Sequence, residues 1–295
     1  MIAIDWGTSS LRGARLGADG ELLEERAFAR GILTVAPGGF PSVFEECFGD
    51  WMTGGALCLI AGMAGSRQGW VEAPYCACPA GASDLAARLA WVEPGRIAIV
   101  PGISRESNGV PDVMRGEETQ VVGTLRLLGL SRGTFVLPGT HSKWVQVEAG
   151  RVIDFETYMT GEFFALLSQH SILARSLPDA SPDPGLVPDA FDAGVRHAMA
   201  GPGLLHTAFG LRSLALFERL AESHRRSFLS GVVIGEELRS RGVRADQPVI
   251  LVGAPALTHR YERALGMLGV PATSVSGAAS WRGLHGIAQT LRLKS

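Results

Sequence analysis

Apolar and polar positions along the chain follow one order and then repeat it. Ile2, Ala3 and Ile4 form a short apolar run that breaks at Asp5, turns through Gly7-Thr8-Ser9-Ser10 and resumes from Leu11 to Leu16. This is the pattern of two strands around a tight polar turn. The spacing then predicts a strand at 21–27, a helix at 40–51, an apolar strand at 57–61, a helix at 83–91, a strand at 97–100 and a helix from Gly116. A second apolar run, FVLPGTHSKWVQV at 135–147, again enters and leaves a polar turn, Gly139 to Ser142. After it come a strand at 151–157, a helix from Gly161 and further helices, a strand at 249–252, a helix at 256–268, a short strand at 272–275 and a last helix from Ala278. Each half reads as three antiparallel strands extended by alternating helix and strand. The expected fold class is α/β, in two lobes with a cleft between them.

The halves divide at 129–133, giving an N-terminal lobe over 1–130 and a C-terminal lobe over 131–277, with the helix at 278–295 packing back on the first. Four prolines in LPDASPDPGLVPD, 177–189, discourage a helix and predict a surface loop. A chain of 295 residues can bury two cores. Its net charge of −2 gives no general attraction for nucleic acid. No apolar run reaches the roughly 18 residues of a membrane span, and the first residues enter a strand without a basic leader, so a cytoplasmic protein is expected. Cys47 and Cys58 stand alone, and Cys76-x-Cys78 lacks the second pair that a zinc site needs; a structural or incidental role is expected for all four.

The turns carry the chemistry. A hairpin tip with glycine and hydroxyl residues can cradle phosphate through backbone donors. It can equally be an ordinary polar turn. Asp5, at a strand end, suits a magnesium ion held through water, because Mg²⁺ takes few protein carboxylates. Gly253-Ala254 closes an apolar strand before a helix, where small residues let an adenine ring approach the backbone; such turns are also common in structural roles. Asp112, Glu117 and Glu118 are placed at the start of an amphipathic helix. Acidic residues there complement the macrodipole, and one of them can also act as a general base. The two glutamates point about 100° apart, so one faces the site. Arg67 can clamp a carboxylate or stay solvated. Gln169 and His170 read as structural.

In the order DWGTSSLR, GMAGSRQGW, DVMRGEETQ, LPGTHSKWV and YMTGEFFALL, the chain resembles the 2-keto-3-deoxygalactonokinase family of the actin-like sugar-kinase superfamily. The resemblance covers almost the whole chain. It implies a kinase that uses ATP and Mg²⁺ to phosphorylate the 6-hydroxyl of 2-dehydro-3-deoxy-D-galactonate in galactonate catabolism. It assigns Asp5, Gly7, Thr8 and Ser9 to a first phosphate motif, with Asp5 toward the metal. Gly139, Thr140, His141 and Ser142 fall in a second, and Gly253 and Ala254 in an adenosine motif. Glu117 is the expected base and Asp112 the runner-up. Many relatives use an aspartate at this helix; here the pattern is nearer the Gly-x-Glu-Glu of exopolyphosphatases. Arg67, Gln68, Arg115, His141 and Lys143 are the expected donors to the sugar acid, although His141 also suits a local turn role. Closure of the lobes would exclude water from the transfer. The gluconate epimer, a phosphohydrolase and a nucleotide-switching protein are the alternatives, and a homodimer is left open.

Overall fold

The computed structural model describes residues 1–178 and 185–292. Part of the proline-rich loop expected at 177–189 and the end of the helix expected at 278–295 lie outside the described residues. In chain order the first elements are β1 (Ile2–Trp6), β2 (Leu11–Leu16), β3 (Leu22–Phe28), α1 (Phe40–Phe48), β4 (Cys58–Gly62), β5 (Tyr75–Ala77), β6 (Ala80–Gly81), α2 (Ala82–Ala87), β7 (Ala90–Glu93), β8 (Ile97–Ile99), β9 (Gly102–Ser107), β10 (Val110–Met114) and α3 (Glu117–Leu128). They continue as β11 (Gly133–Leu137), β12 (Ser142–Glu148), β13 (Arg151–Tyr158), α4 (Thr160–His170), α5 (Pro188–Ala200), α6 (Leu204–Thr207), α7 (Phe209–Leu216), α8 (Glu222–Arg241), β14 (Val249–Val252), α9 (Pro255–Met267), β15 (Ala272–Val275) and α10 (Ala279–Arg292).

One sheet runs β3-β2-β1-β4-β8-β7 and another β15-β14-β11-β12-β13-β6. Five strands of each follow the same order, so the repeat of architecture legible in the hydrophobic pattern is present in the topology. In the first sheet β1 pairs antiparallel with β2 and parallel with β4, with Asp5 opposite Ala61. Ligands gather at the carboxyl ends of such parallel strands, and Asp5 and Gly62 stand there.

Two expectations need correction. The helix expected at 83–91 ends at Ala87, and Ala90–Glu93 is a strand paired antiparallel with β8. Trp91 and Val92 favour a strand, and Pro94-Gly95 turns it back. Asp112 does not open a helix: it lies within β10, in a hairpin with β9 whose two-residue loop is Asn108-Gly109. Both loop residues have positive φ, 53° and 76°, the requirement of a tight hairpin turn that Asn-Gly meets best.

The contacts divide the chain into two compact units. The first comprises Met1–Phe135, Val145–Glu156 and Val275–Ser295; the second comprises Val136–Trp144 and Thr157–Ser274. The first buries an aromatic cluster around Trp6, Phe40, Phe44 and Phe48 beneath its sheet. Its α3 and α10 meet backbone to backbone, since a Cβ on Gly123 would stand 1.8 Å from Ala279 O and one on Gly283 1.8 Å from Thr119 O. The second unit packs α8 on α5 in the same manner through Gly194 and Gly231. Phe191, Val195, Ile234 and Leu251 lie in its larger core.

Candidate active site

In the first unit the candidate residues are gathered by glycines. The Gly7 N–H donates to Ser10 O at 2.9 Å and closes the turn, leaving Thr8 and Ser9 exposed. The turn rests on residues 31–33. Ile32 N–H donates to Gly7 O, Leu33 N–H donates to Thr8 O, and a Cβ on Gly31 would lie 2.2 Å from Thr8 O. Asp5 sits just before this turn, with its carboxylate 2.6 Å from Arg12 Nη2. Gly62, at the end of β4, has φ +90°, and a Cβ there would come within 3.4 Å of Asp5 Oδ1. Gly116 has φ +107° and its own Cβ position is 3.3 Å from Gly62 Cα. Asp5, Gly62 and the start of α3 therefore converge, with no side chain on either glycine to fill the space.

At the start of α3 two adjacent glutamates differ sharply. Glu117 is half-buried, and its Oε2 accepts the Arg115 N–H at 3.1 Å. Glu118 is wholly buried and both its oxygens accept the Gly116 N–H. Burial, and then the neighbouring Glu117 charge, push its pKa up to about 8, against the pull of backbone N–H groups. Asp112 accepts its own strand's Val113 N–H at 2.8 Å and faces Arg105 in register. Arg115 donates to Ala73 O at 2.8 Å and lies over the Tyr75 ring. Arg67 and Gln68 line a pocket of about 600 Å³ with Phe40 and Trp70. The Arg67 side chain is 89% exposed and pairs only at the surface with Glu72, an interaction weak enough to exchange for a ligand carboxylate.

In the second unit the turn at Gly139 is stacked on α4. A Cβ on Gly161 would be 2.4 Å from Gly139 O, and Glu162 N–H donates to Thr140 O at 3.0 Å. His141 Nε2 lies 2.6 Å from Glu162 Oε2. Lys143 is buried and donates to Thr157 Oγ1 at 2.7 Å. Ser142 is also buried, and its hydroxyl is given to Glu237 Oε1 at 2.8 Å. A cavity of about 250 Å³ opens beside the turn, walled by Gly139, Thr140, Thr160, Gly161, Arg260 and Tyr261 among others. Gly253, with φ +158°, follows β14, and its Cβ position lies 3.7 Å from Pro138 O, just before the same turn.

Each unit thus carries a glycine-hydroxyl turn that is followed by a strand and backed by a glycine, and the comparisons with known proteins give the chain a family. The 2-keto-3-deoxy-galactonokinase family matches residues 5–287. The chain is 36% identical over 293 residues to the 2-dehydro-3-deoxygalactonokinase of Escherichia coli (strain K12), covering 98% of each. The chain belongs to the 2-keto-3-deoxy-galactonokinase family. A crystal structure of a Sinorhizobium meliloti protein assigned as a 2-dehydro-3-deoxygalactonokinase matches with a TM-score of 0.87 and 35% identity, over 99% of this chain and 98% of that one. A Porphyromonas gingivalis protein assigned as an N-acetylglucosamine kinase is only 12% identical and shares the fold alone, with a TM-score of 0.51 over 98% of this chain and 99% of that one.

The fold is that of the actin-like sugar kinases, and the chain is an ATP-dependent carbohydrate kinase by family. Within that family frame, Gly31, Gly62, Gly116, Gly161, Glu162 and Glu237 are residues that sequence reasoning left without a role. The glycines had no signal beyond their identity. Glu237 had one: it closes a second Gly-Glu-Glu triplet, Gly235-Glu236-Glu237, and as in Gly116-Glu117-Glu118 the second glutamate is the buried one. The Asp5 surroundings fit a magnesium ion. No group of three or more His, Cys, Asp or Glu side chains gathers at one place among the described residues. A single carboxylate beside two bare glycines suits an ion that keeps most of its water.

Proposed function

We propose that this chain transfers the γ-phosphoryl group of ATP to the 6-hydroxyl of 2-dehydro-3-deoxy-D-galactonate, in galactonate catabolism. The observation that carries this reading is the convergence of Asp5, Gly62 and Gly116. It sets a metal-type carboxylate and the acidic first turn of α3 around one space. Phosphoryl transfer asks for positioning and charge stabilisation there more than for covalent chemistry. Asp5 would hold Mg²⁺ through water, and the ion would supply neutralising charge at the phosphates.

Glu117 is the general base in this reading. Its carboxylate is half-exposed, whereas Glu118 is enclosed and holds a proton up to about pH 8. It accepts the proton of the sugar hydroxyl as that oxygen attacks. Asp112 is the runner-up. In the first unit the Gly7–Ser9 turn is a phosphate-binding element of this reading, and in the second the Gly139–Ser142 turn is another, with Gly139 and Thr140 at the cavity wall and the Ser142 hydroxyl given to Glu237. Gly253 and Ala254 hold the adenosine end. Arg67 and Gln68, in their pocket, take the carboxylate and keto oxygens of the acid, with Arg115 as a further donor of the first unit; His141 and Lys143 are the candidate donors of the second. In this reading the enzyme works in the cytoplasm, with ATP as its donor. Among the described residues no helix is long and apolar enough to cross a membrane.

The test is ADP formation from Mg·ATP with the galactonate acid, with its gluconate epimer, and with no acceptor. Acceptor-dependent ADP favouring the galactonate acid supports the reading. A preference for the epimer changes the pathway and keeps the chemistry. Phosphate release without an acceptor replaces the kinase by a phosphohydrolase.

A further inference from the structure

Glu237 has no part in the chemistry described above, yet its buried carboxylate accepts four side-chain hydrogen bonds. It is 3% exposed on α8. Its Oε1 accepts from Ser142 Oγ at 2.8 Å and from Trp144 Nε1 at 2.7 Å. Its Oε2 accepts from Tyr261 Oη at 2.6 Å and from Thr160 Oγ1. Two donors at each oxygen is the demand of a carboxylate rather than of a carboxylic acid. Burial pushes its pKa up, and the four hydrogen bonds oppose that push. A buried charge is tolerated only when it is satisfied in this way.

The donors are not scattered. Ser142 ends the Gly139–Ser142 turn, and Thr160 opens α4, on which that turn is stacked through Gly161. Thr160 and Tyr261 also line the cavity beside the turn. Each hydroxyl has one proton, and both protons go to Oε2. What these two oxygens have left for a ligand in the cavity is lone pairs. One carboxylate thus fixes both the place of the turn and the hydrogen-bonding sense of the cavity wall.

We propose that Glu237 is a positioning residue for the nucleotide, holding the Gly139–Ser142 turn against α4 and keeping Thr160 and Tyr261 as acceptors at the cavity wall. This rests on the kinase reading, in which that turn binds ATP.

The test is Glu237→Gln, which keeps the side chain's size. Trp144 can only donate, so the amide oxygen takes the side shared by Trp144 and Ser142. The amide NH₂ then faces Thr160 and Tyr261, whose hydroxyls must accept and turn their protons away from residue 237, that of Tyr261 toward Ser142 Oγ at 3.5 Å or the cavity and that of Thr160 toward the cavity. We expect KM for ATP to rise about tenfold, with KM for the sugar acid within about twofold of wild type and the melting temperature nearly kept. An unchanged KM for ATP in a folded variant overturns the proposal. So does an equal rise in both KM values, which is the mark of a general structural role. Trp144→Phe removes one donor from Glu237 without touching the cavity. If the Gln variant does not fold, this variant decides: a rise of several-fold in KM for ATP alone supports the proposal, and no change overturns it. Titration with ADP separates the two levels. Wild type that binds ADP, with binding weakened by Glu237→Gln, but that forms no acceptor-dependent ADP from ATP refutes the kinase reading and leaves the positioning role standing.

Discussion

The two glycine-hydroxyl turns look alike as strings of residues and are held in place by different forces. The turn at Gly7 is fixed by main chain alone: Gly7 to Ser10, Ile32 to Gly7 and Leu33 to Thr8, with Gly31 pressed against Thr8. The turn at Gly139 has one comparable backbone bond, from Glu162 N–H to Thr140 O, and a similar glycine contact through Gly161. Its remaining support comes from side chains, a buried carboxylate that gathers Ser142 and Thr160 and the Glu162 carboxylate 2.6 Å from His141 Nε2. A backbone-held turn is indifferent to most side-chain changes and breaks when a Cβ is added at its glycine. A carboxylate-held turn breaks when a charge or a donor is removed. Loss of the first is expected to cost chemistry, because Asp5 and α3 lie with it. Loss of the second is expected to cost nucleotide binding.

The largest expected effect is that of Asp5→Asn. Turnover should fall about a thousandfold while ADP binding survives in part, measured by initial rates beside calorimetric titration. Near-normal turnover would remove Asp5 from the metal role. Glu117→Gln should behave alike, with little change in KM; if Asp112→Asn is the inactive variant instead, the base is Asp112. Next come the glycines. Gly31→Ala places a Cβ against Thr8 O, and Gly161→Ala places one against Gly139 O, main-chain atoms that cannot swing aside. Each should lower kcat/KM about a hundredfold, the first mainly through kcat and the second mainly through KM for ATP. The same kinetic signature in both would erase the contrast between the turns.

Glu118 gives a smaller effect, read in stability. Its folded pKa is raised from 4.5 to about 8, so the native state holds a proton that the unfolded chain has lost. The stability this contributes is full below the lower value and is lost as pH rises toward the higher one. From about pH 5 to about pH 7 the loss is on the order of 2–3 kcal/mol. Urea titrations of Glu118→Gln should lack that slope; an identical slope in both proteins would show that Glu118 is not its source. The smallest effect is Arg67→Ala, with KM for the sugar acid raised about tenfold and KM for ATP unchanged. A change in KM for ATP instead would move Arg67 out of the acid pocket.

Much of this was legible beforehand where a residue's identity and its neighbours carry the same message. Apolar runs broken by Gly-Thr-Ser and Gly-Thr-His-Ser announce both turns, and the strand order repeats as the pattern implies. The β9–β10 hairpin was missed although Asn108-Gly109 marks it, because Pro111 and the exposed, polar flanks hide the alternation of its strands. That omission also put Asp112 on the wrong element. Burial was the harder matter. Glu117 and Glu118, like Glu236 and Glu237, are identical neighbours on a helix, and only tertiary packing decides which one loses water. Glu236 pairs with Arg239 one turn on, while Glu237 meets donors 77 to 95 residues earlier in the chain and another 24 residues later. No local pattern encodes contacts at that separation.

The measurement that bears most directly on the whole account is phosphorus NMR of the reaction between Mg·ATP and 2-dehydro-3-deoxy-D-galactonate. The account predicts a phosphate monoester coupled to the C6 protons, growing in step with ADP. Inorganic phosphate in place of that ester, or an ester on another carbon, would contradict it.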